Sequence, residues 1–299
     1  MLLAAVEGGG QSWCCALASG EPSNIVETAT FPTLDPDRTL GEVKAWLLAR
    51  RERIGAIGIA TFGPIDARVD SKHYGFITST PKEGWTQTNV LRMLGIYDEL
   101  KGIPYQFDTD VNAPALSEYN AMTGVSSCAY VTIGTGIGVG LVVNGRPVHG
   151  MLHPEAGHML VGRMENDSFP GVCRFHRSCV EGMSSSVAVA ARAGVSLSSL
   201  PSLEDSHEVW EACAYYIAAL CGNLILTVSP ERIVLGGGVM NRYCLYDKVR
   251  RYVLQILNGY IDIEELKEES IQNLIVPSQW GSKAGIVGAL HLAKAACLK

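Results

Sequence analysis

The sequence predicts a duplicated α/β protein with two lobes and a cleft between them, and three features predict it. A glycine-rich β-hairpin opens each half, apolar strands alternate with amphipathic helices, and no low-complexity linker splits the chain. The first hairpin pairs residues 2–6 with 13–17 around Gly8-Gly9-Gly10. The second pairs 130–133 with 139–143 around Gly134-Thr135-Gly136-Ile137-Gly138. In both, β-prone residues flank a tight turn. Asn144-Gly145 marks another hairpin turn before Arg146-Pro147-Val148.

Helices and buried strands fill the intervals. Residues 40–51 carry apolar positions at helical spacing and precede a short strand at 54–59. A strand at 104–107 leads to a helix at 113–123, with Pro114 in the first turn, where a missing N–H costs nothing. The clearest helix spans 206–227: Val209, Cys213, Tyr216, Ile217, Leu220 and Leu224 recur at three- and four-residue steps. Pro230 interrupts it, residues 232–235 read as a buried strand entering Gly236-Gly237-Gly238, and 284–296 form an Ala-rich helix.

At 299 residues the chain is long enough for two lobes rather than one compact core. A hydrophobic fraction of 47% and a mean hydropathy of +0.15 fit a well-buried globular protein. The formal net charge is -6 and no basic run occurs, which argues against a nucleic-acid partner. The N-terminus lacks the basic start and long apolar run of a signal peptide, and no window approaches the ~20 uninterrupted apolar residues of a membrane span. The expectation is a soluble, cytoplasmic protein. Nine cysteines, mostly single and in apolar surroundings, read as small core residues in a reducing compartment.

Three stretches carry chemistry. The glycine turns at Gly8-Gly9-Gly10, at Gly134 to Gly138 and at Gly236-Gly237-Gly238 each follow a strand, where backbone N–H groups can approach an anion. None has P-loop or dinucleotide-fold spacing. Asp108-Thr109-Asp110-Val111-Asn112 lies between a strand and a helix. Taken locally, Asp110 is better read as the helix N-cap than as a base. Cys173-Arg174-Phe175-His176-Arg177-Ser178-Cys179 offers three ligands within seven residues and His158 can supply a fourth, a set suited to tetrahedral Zn²⁺. The polar loop 162–171 would be poorly ordered without such a staple.

These turns resemble those of the sugar kinase, Hsp70 and actin superfamily, and the sequence is similar to the ROK family (repressor, open reading frame, kinase) over nearly its whole length. Asp108 to Asn112 looks like that family's Asn-Asp-x-Asn motif. Glu155-Ala156-Gly157-His158 with the cysteine loop ending at Glu181 looks like its signature, and 61–66 and 75–85 resemble its fructokinase branch. The resemblance implies a two-lobed, ribonuclease H-like or actin-like ATPase fold. Residues 1–111 with about 285–299 would form a small N-terminal lobe, and 112–284 a large C-terminal lobe carrying the zinc loop.

It also implies an ATP-dependent hexose kinase, most simply a fructokinase and alternatively a broader hexokinase taking mannose, glucose or glucosamine, with ATP, Mg²⁺ and one structural Zn²⁺. It reverses the local reading of Asp110, which becomes the general base. Asn112, Glu155, His158, Glu181, Gly63 and Thr80 become hexose contacts. Gly9, Gly10, Gln11, Thr135, Gly136, Gly237 and Gly238 become nucleotide contacts, and His158, Cys173, His176 and Cys179 the zinc ligands. A homodimer is ordinary for the family. Two departures stand out: Thr109 replaces the motif's first Asn, and Gln11-Ser12 replaces the usual Thr-Lys of the first phosphate turn. The second leaves open a non-catalytic sugar or nucleotide binder. A family regulator is less favoured, since the hairpin at Leu2 leaves no room for a preceding helix-turn-helix. Trp85 reads better as packing than as a sugar platform. Lys82 serves the phosphates or is merely solvated.

Overall fold

The structure, a computed structural model, describes residues 1–298. The chain divides into two compact units. Unit 1 comprises Met1–Ala121, Arg146–Pro154 and Ser282–Lys299, and unit 2 comprises Met122–Gly145 and Glu155–Gly281.

Unit 1 is built on one sheet. Its strands are β1 (Leu2–Gly8), β2 (Ser12–Ala18), β3 (Ile25–Pro32), β4 (Ile54–Thr61) and β5 (Tyr105–Thr109), in the order β3-β2-β1-β4-β5. The hairpin β1–β2 and the pair β2–β3 are antiparallel, whereas β1–β4 and β4–β5 are parallel. Helix α1 (Pro36–Leu48) starts four residues before its apolar stripe, because Asp35 accepts from Arg38 N–H at 3.0 Å and Pro36 opens the first turn. It buries Leu40, Val43, Trp46 and Leu47. Trp85 is fully buried, stacks on Trp13 at 5.4 Å and donates its indole N–H to Leu34 O at 2.8 Å. Packing is therefore what that residue does.

The compact units divide at 121/122, where the sequence expectation set a boundary at 111/112. Helix α2 (Asn112–Ala121) packs on the C-terminal helix Ala284–Ala296, which itself packs on β1, β4 and β5. That approach depends on missing side chains. A Cβ on Gly58 would lie 1.7 Å from Ala289 O, and one on Gly288 would lie 2.2 Å from Ala113 O. The segment Arg146–Pro154, expected in the second lobe, also belongs to unit 1. There His149 Nε2 bonds Asp108 and His153 Nε2 accepts from Ile65 N–H.

Unit 2 repeats the plan. Strands β6 (Ser127–Ile133) and β7 (Ile137–Val143) form an antiparallel hairpin. β6 then takes β8 (Arg232–Gly236) as a parallel neighbour, and β8 takes β9 (Ile275–Pro277) likewise. Between them come α3 (Val180–Ser184), α4 (Ser186–Ala193), α5 (Val209–Thr227) and α6 (Cys244–Leu257). Among the described residues α5 is long and apolar enough to cross a membrane, against the sequence expectation. Its faces are instead buried, against α6 and α3 among others.

Candidate functional site

In unit 1 the parallel strands bring their C-terminal ends together. Gly8 stands level with Thr61, and Thr61 with Thr109. Phe62 N–H then donates to Gly8 O and Asp110 N–H to Thr61 O, each at 2.9 Å. Open α/β sheets offer ligand sites at such strand ends. Thr109 Oγ1 accepts from Asn112 N–H at 2.9 Å, so the start of α2 is capped by Thr109 rather than by Asp110. The residue that departs from the motif thus does the capping, and the Asp110 carboxylate is not spent on it.

Asp110 is half-buried as a residue, and burial of its carboxyl pushes the pKa up to about 7. Glu7, at the end of β1, is also raised to about 7, first by burial and then by the charge of Asp110. Gly285 makes room for it: a Cβ there would lie 1.8 Å from Glu7 Oε1. Glu7 went unnoticed in the sequence. Its signal was an acid closing a strand directly before a glycine turn.

Asn112 is fully buried and donates Nδ2–H to Asp108 Oδ1 at 2.9 Å. Gly63 follows β4 and precedes Pro64 through a cis peptide bond, and a Cβ on it would lie 3.2 Å from the His153 ring. Burial lowers the pKa of His153, whose Nε2 accepts from Ile65 N–H at 3.0 Å. His149 and His153 were both missed in the sequence. The first glycine turn closes with Gly9 N–H donating to Ser12 O at 2.9 Å, braced by Thr33 Oγ1 on Gly9 O at 2.8 Å. Gly10 and Gln11 are exposed, and Lys82 Nζ donates to Gly10 O. Thr80 Oγ1 accepts from Lys82 N–H at 3.3 Å. Thr80 therefore accompanies that loop, and among the described residues no hydrogen bond joins it to Gly63 or Asn112.

Unit 2 gathers the other candidates. The ligand atoms of His158, Cys173, His176 and Cys179 all lie within 4.8 Å of one another. Nδ1 of His158 is 3.7 Å from Cys173 Sγ and 3.5 Å from Cys179 Sγ, and His176 Nδ1 is 3.9 Å from Cys173 Sγ. Tetrahedral zinc with bonds of ~2.0–2.3 Å sets its ligands about 3.3–3.8 Å apart, so the donor set fits that ion. Nδ1 faces the thiols, which leaves Nε2 for another partner. Glu181 Oε2 accepts from Ile137 N–H at 3.0 Å and would meet a Cβ on Gly136 at 2.8 Å. The signature acid therefore holds the second glycine turn. Thr135 and Glu155 are exposed, Gly136 and Gly237 are half-buried, and Gly238 is open.

Loop 162–171 has an anchor of its own. Asp167 accepts from Arg192 at 2.7 and 3.0 Å, from Tyr216 Oη at 2.6 Å and from Phe169 N–H at 3.0 Å. Burial pushes its carboxyl up, but the Arg192 and Tyr216 bonds outweigh it and hold it down at about 2. Protein bonds by themselves therefore staple this loop.

The ROK family model matches residues 3–296. A chain from Bacillus subtilis (strain 168) is 41% identical over 294 residues, covering 98% of this chain and 95% of that one. A fructokinase from Lactococcus lactis subsp. cremoris is 37% identical over 289 residues, covering 96% and 95%. Among solved structures, the ROK hexokinase from Thermus thermophilus superposes with a TM-score of 0.78 at 24% identity, over 100% of both chains. That likeness establishes the fold of the ROK sugar kinases, the actin-like ATPase fold. Matched by that family model over residues 3–296 and by relatives 41% and 37% identical along nearly its whole length, the chain belongs to the ROK family.

Proposed function

We infer that this protein is an ATP-dependent fructokinase, converting D-fructose and ATP to D-fructose 6-phosphate and ADP. One observation carries the reading: a chain that matches fructokinases along its length keeps a carboxyl near neutrality at the end of a parallel strand. A sugar hydroxyl is a weak nucleophile. A carboxylate that accepts its proton as the phosphoryl group moves supplies about 10²–10⁴-fold in rate. Asp110 is assigned that role. The hydroxyl oxygen bonds to the γ-phosphorus, the bond to the ADP oxygen breaks, and the hydroxyl proton passes to Asp110.

The exposed backbone of Gly9, Gly10 and Gln11, of Thr135 and Gly136, and of Gly237 and Gly238 is assigned to the nucleotide. Glu7, at the end of β1, is a hard oxygen donor and fits Mg²⁺, which when bound would neutralise phosphate charge. His158, Cys173, His176 and Cys179 are assigned to one structural Zn²⁺, which fixes the His158 ring with Nε2 directed away from the ion. Asn112, Glu155, His158, Gly63 and Thr80 remain assigned to the hexose. Glu181 is reassigned chiefly to supporting the second glycine turn. We place the enzyme in the cytoplasm, as a homodimer whose mass light scattering would test.

The test is steady-state turnover of a hexose panel with ATP and Mg²⁺. Fructose is expected to give the highest kcat/KM. Turnover of glucose or N-acetylmannosamine without fructose would overturn the substrate assignment, and binding without turnover on any hexose would replace an enzyme by a sugar binder.

A further inference from the structure

The first glycine turn is assigned to phosphate, yet its own stretch of chain brings no cation. No Lys, Arg or His precedes Arg38 in the sequence. Glu7 leads into the turn, close enough to Asp110 for the two carboxyl groups to repel each other. A phosphoryl group brought there adds negative charge to a corner that already holds two acids. The positive charge arrives from a distant loop. Lys82 is half-buried and its Nζ donates to Gly10 O. An ammonium has three N–H donors. One is spent on Gly10, and two remain beside the exposed residues Gly10 and Gln11. The loop that carries Lys82 is fastened to the same hairpin. Lys82 O accepts from Trp85 N–H at 3.3 Å, and the Trp85 ring stacks on Trp13 at 5.4 Å. Trp13 pairs with Gly8 across the hairpin, and a Cβ on Gly8 would lie 2.6 Å from its ring. Further back, Thr78 N–H donates to Pro64 O at 2.8 Å. Turn and loop are thus held as one body, and the lysine is delivered to the turn rather than left in solvent.

We propose that Lys82 is a catalytic residue that binds the phosphoryl group in transfer, supplying from a distant loop the cation that the first glycine turn lacks. The proposal rests on the kinase reading and names the residue that offsets Gln11-Ser12 at that turn. The phosphoryl group concerned is the terminal one, because the turn adjoins the strand end that carries Asp110. The ammonium keeps its protons throughout: it donates hydrogen bonds to oxygens of the moving group, while the hydroxyl proton passes to Asp110.

The test uses full-length Lys82→Gln and Lys82→Arg with ATP, Mg²⁺ and the accepted hexose. Glutamine keeps an N–H for Gly10 O and removes the charge, whereas arginine keeps both. Lys82→Gln is expected to lower kcat about 100-fold, the low end of what one lost donor to a transition state costs. KM for the hexose is expected to stay within about threefold, since the hexose is not what the ammonium holds. The Tm is expected to stay within a few degrees of wild type, as for other substitutions outside the core. Lys82→Arg is expected to recover at least about tenfold of the lost rate. A lysine that only braces the turn predicts instead that Lys82→Gln works as well as wild type. A kcat for Lys82→Gln within about threefold of wild type, or an equal loss in Lys82→Arg, overturns the proposal while leaving the kinase reading intact. No turnover by wild type on any hexose overturns both.

Discussion

At the scale of single residues, Thr109 and Asp110 divide the work at the start of α2. Thr109 takes the helix-capping bond, and Asp110 keeps a carboxyl that burial raises to about 7. Below that value the group is protonated and cannot accept a hydroxyl proton. kcat/KM should therefore rise with pH, approaching a slope of one well below pH 7, and level off about one unit above it. A profile flat down to pH 5 would contradict the assignment. The placing of Asp110 and Asn112 between a strand and a helix was legible, because strand, motif and helix lie within a few residues of each other. Glu7, Asp108, His149 and His153 were not. Their partners arrive from far along the chain, as His149 does to Asp108 and His153 to Ile65, and a local pattern records none of that.

Among elements, the cysteine loop and its neighbour 162–171 test how the fold is fastened. Removing the metal by a chelator should release about one Zn²⁺ per chain and lower the Tm, and Cys179→Ser should do the same without chelator. An unchanged Tm after verified metal loss would deny a structural ion. Asp167 fastens the loop by protein bonds alone. Its lowered pKa means that it stabilises the fold above the unfolded-state value of about 4, and that this contribution is lost as pH falls from about 4 to about 2. Asp167→Asn leaves Arg192 without its charge partner in a poorly exposed setting and should cost about 3 kcal/mol in denaturant unfolding at pH 7.

Elements with strong periodicity or turn chemistry were readable before any coordinates. Asn144 and Gly145 both adopt positive φ, 51° and 72°, as their hairpin turn requires, and the Ala-rich helix runs over Ala284–Ala296 as expected. The start of α1 was misplaced because its apolar stripe begins at Leu40, whereas the capping pair Asp35-Pro36 begins the helix earlier. β3 was missed because it alternates exposed and half-buried residues along a sheet edge, a weaker pattern than a buried run.

For the whole molecule, connectivity matters more than any one contact. Unit 1 is assembled from three separate segments of chain, and its last segment supplies the helix that covers β1, β4 and β5. Truncation after Gly281 removes that helix and should leave a chain that is insoluble or lacks cooperative unfolding. A soluble truncated chain with a sharp melting transition would contradict this account. The duplication was visible in the sequence as two glycine hairpins. The boundary was not, because only packing reveals that α2 belongs with the C-terminal helix, as Ser117 Oγ does in donating to Ala284 O at 3.2 Å.

The central claim is that the Asp110 carboxylate serves as the base in ATP-dependent phosphorylation of fructose. Its most direct test is the rate of fructose 6-phosphate formation by wild type and by Asp110→Asn, with zinc content and Tm measured on both. The account predicts a loss of at least about 100-fold with zinc and Tm retained; a variant that forms product at the wild-type rate would contradict it.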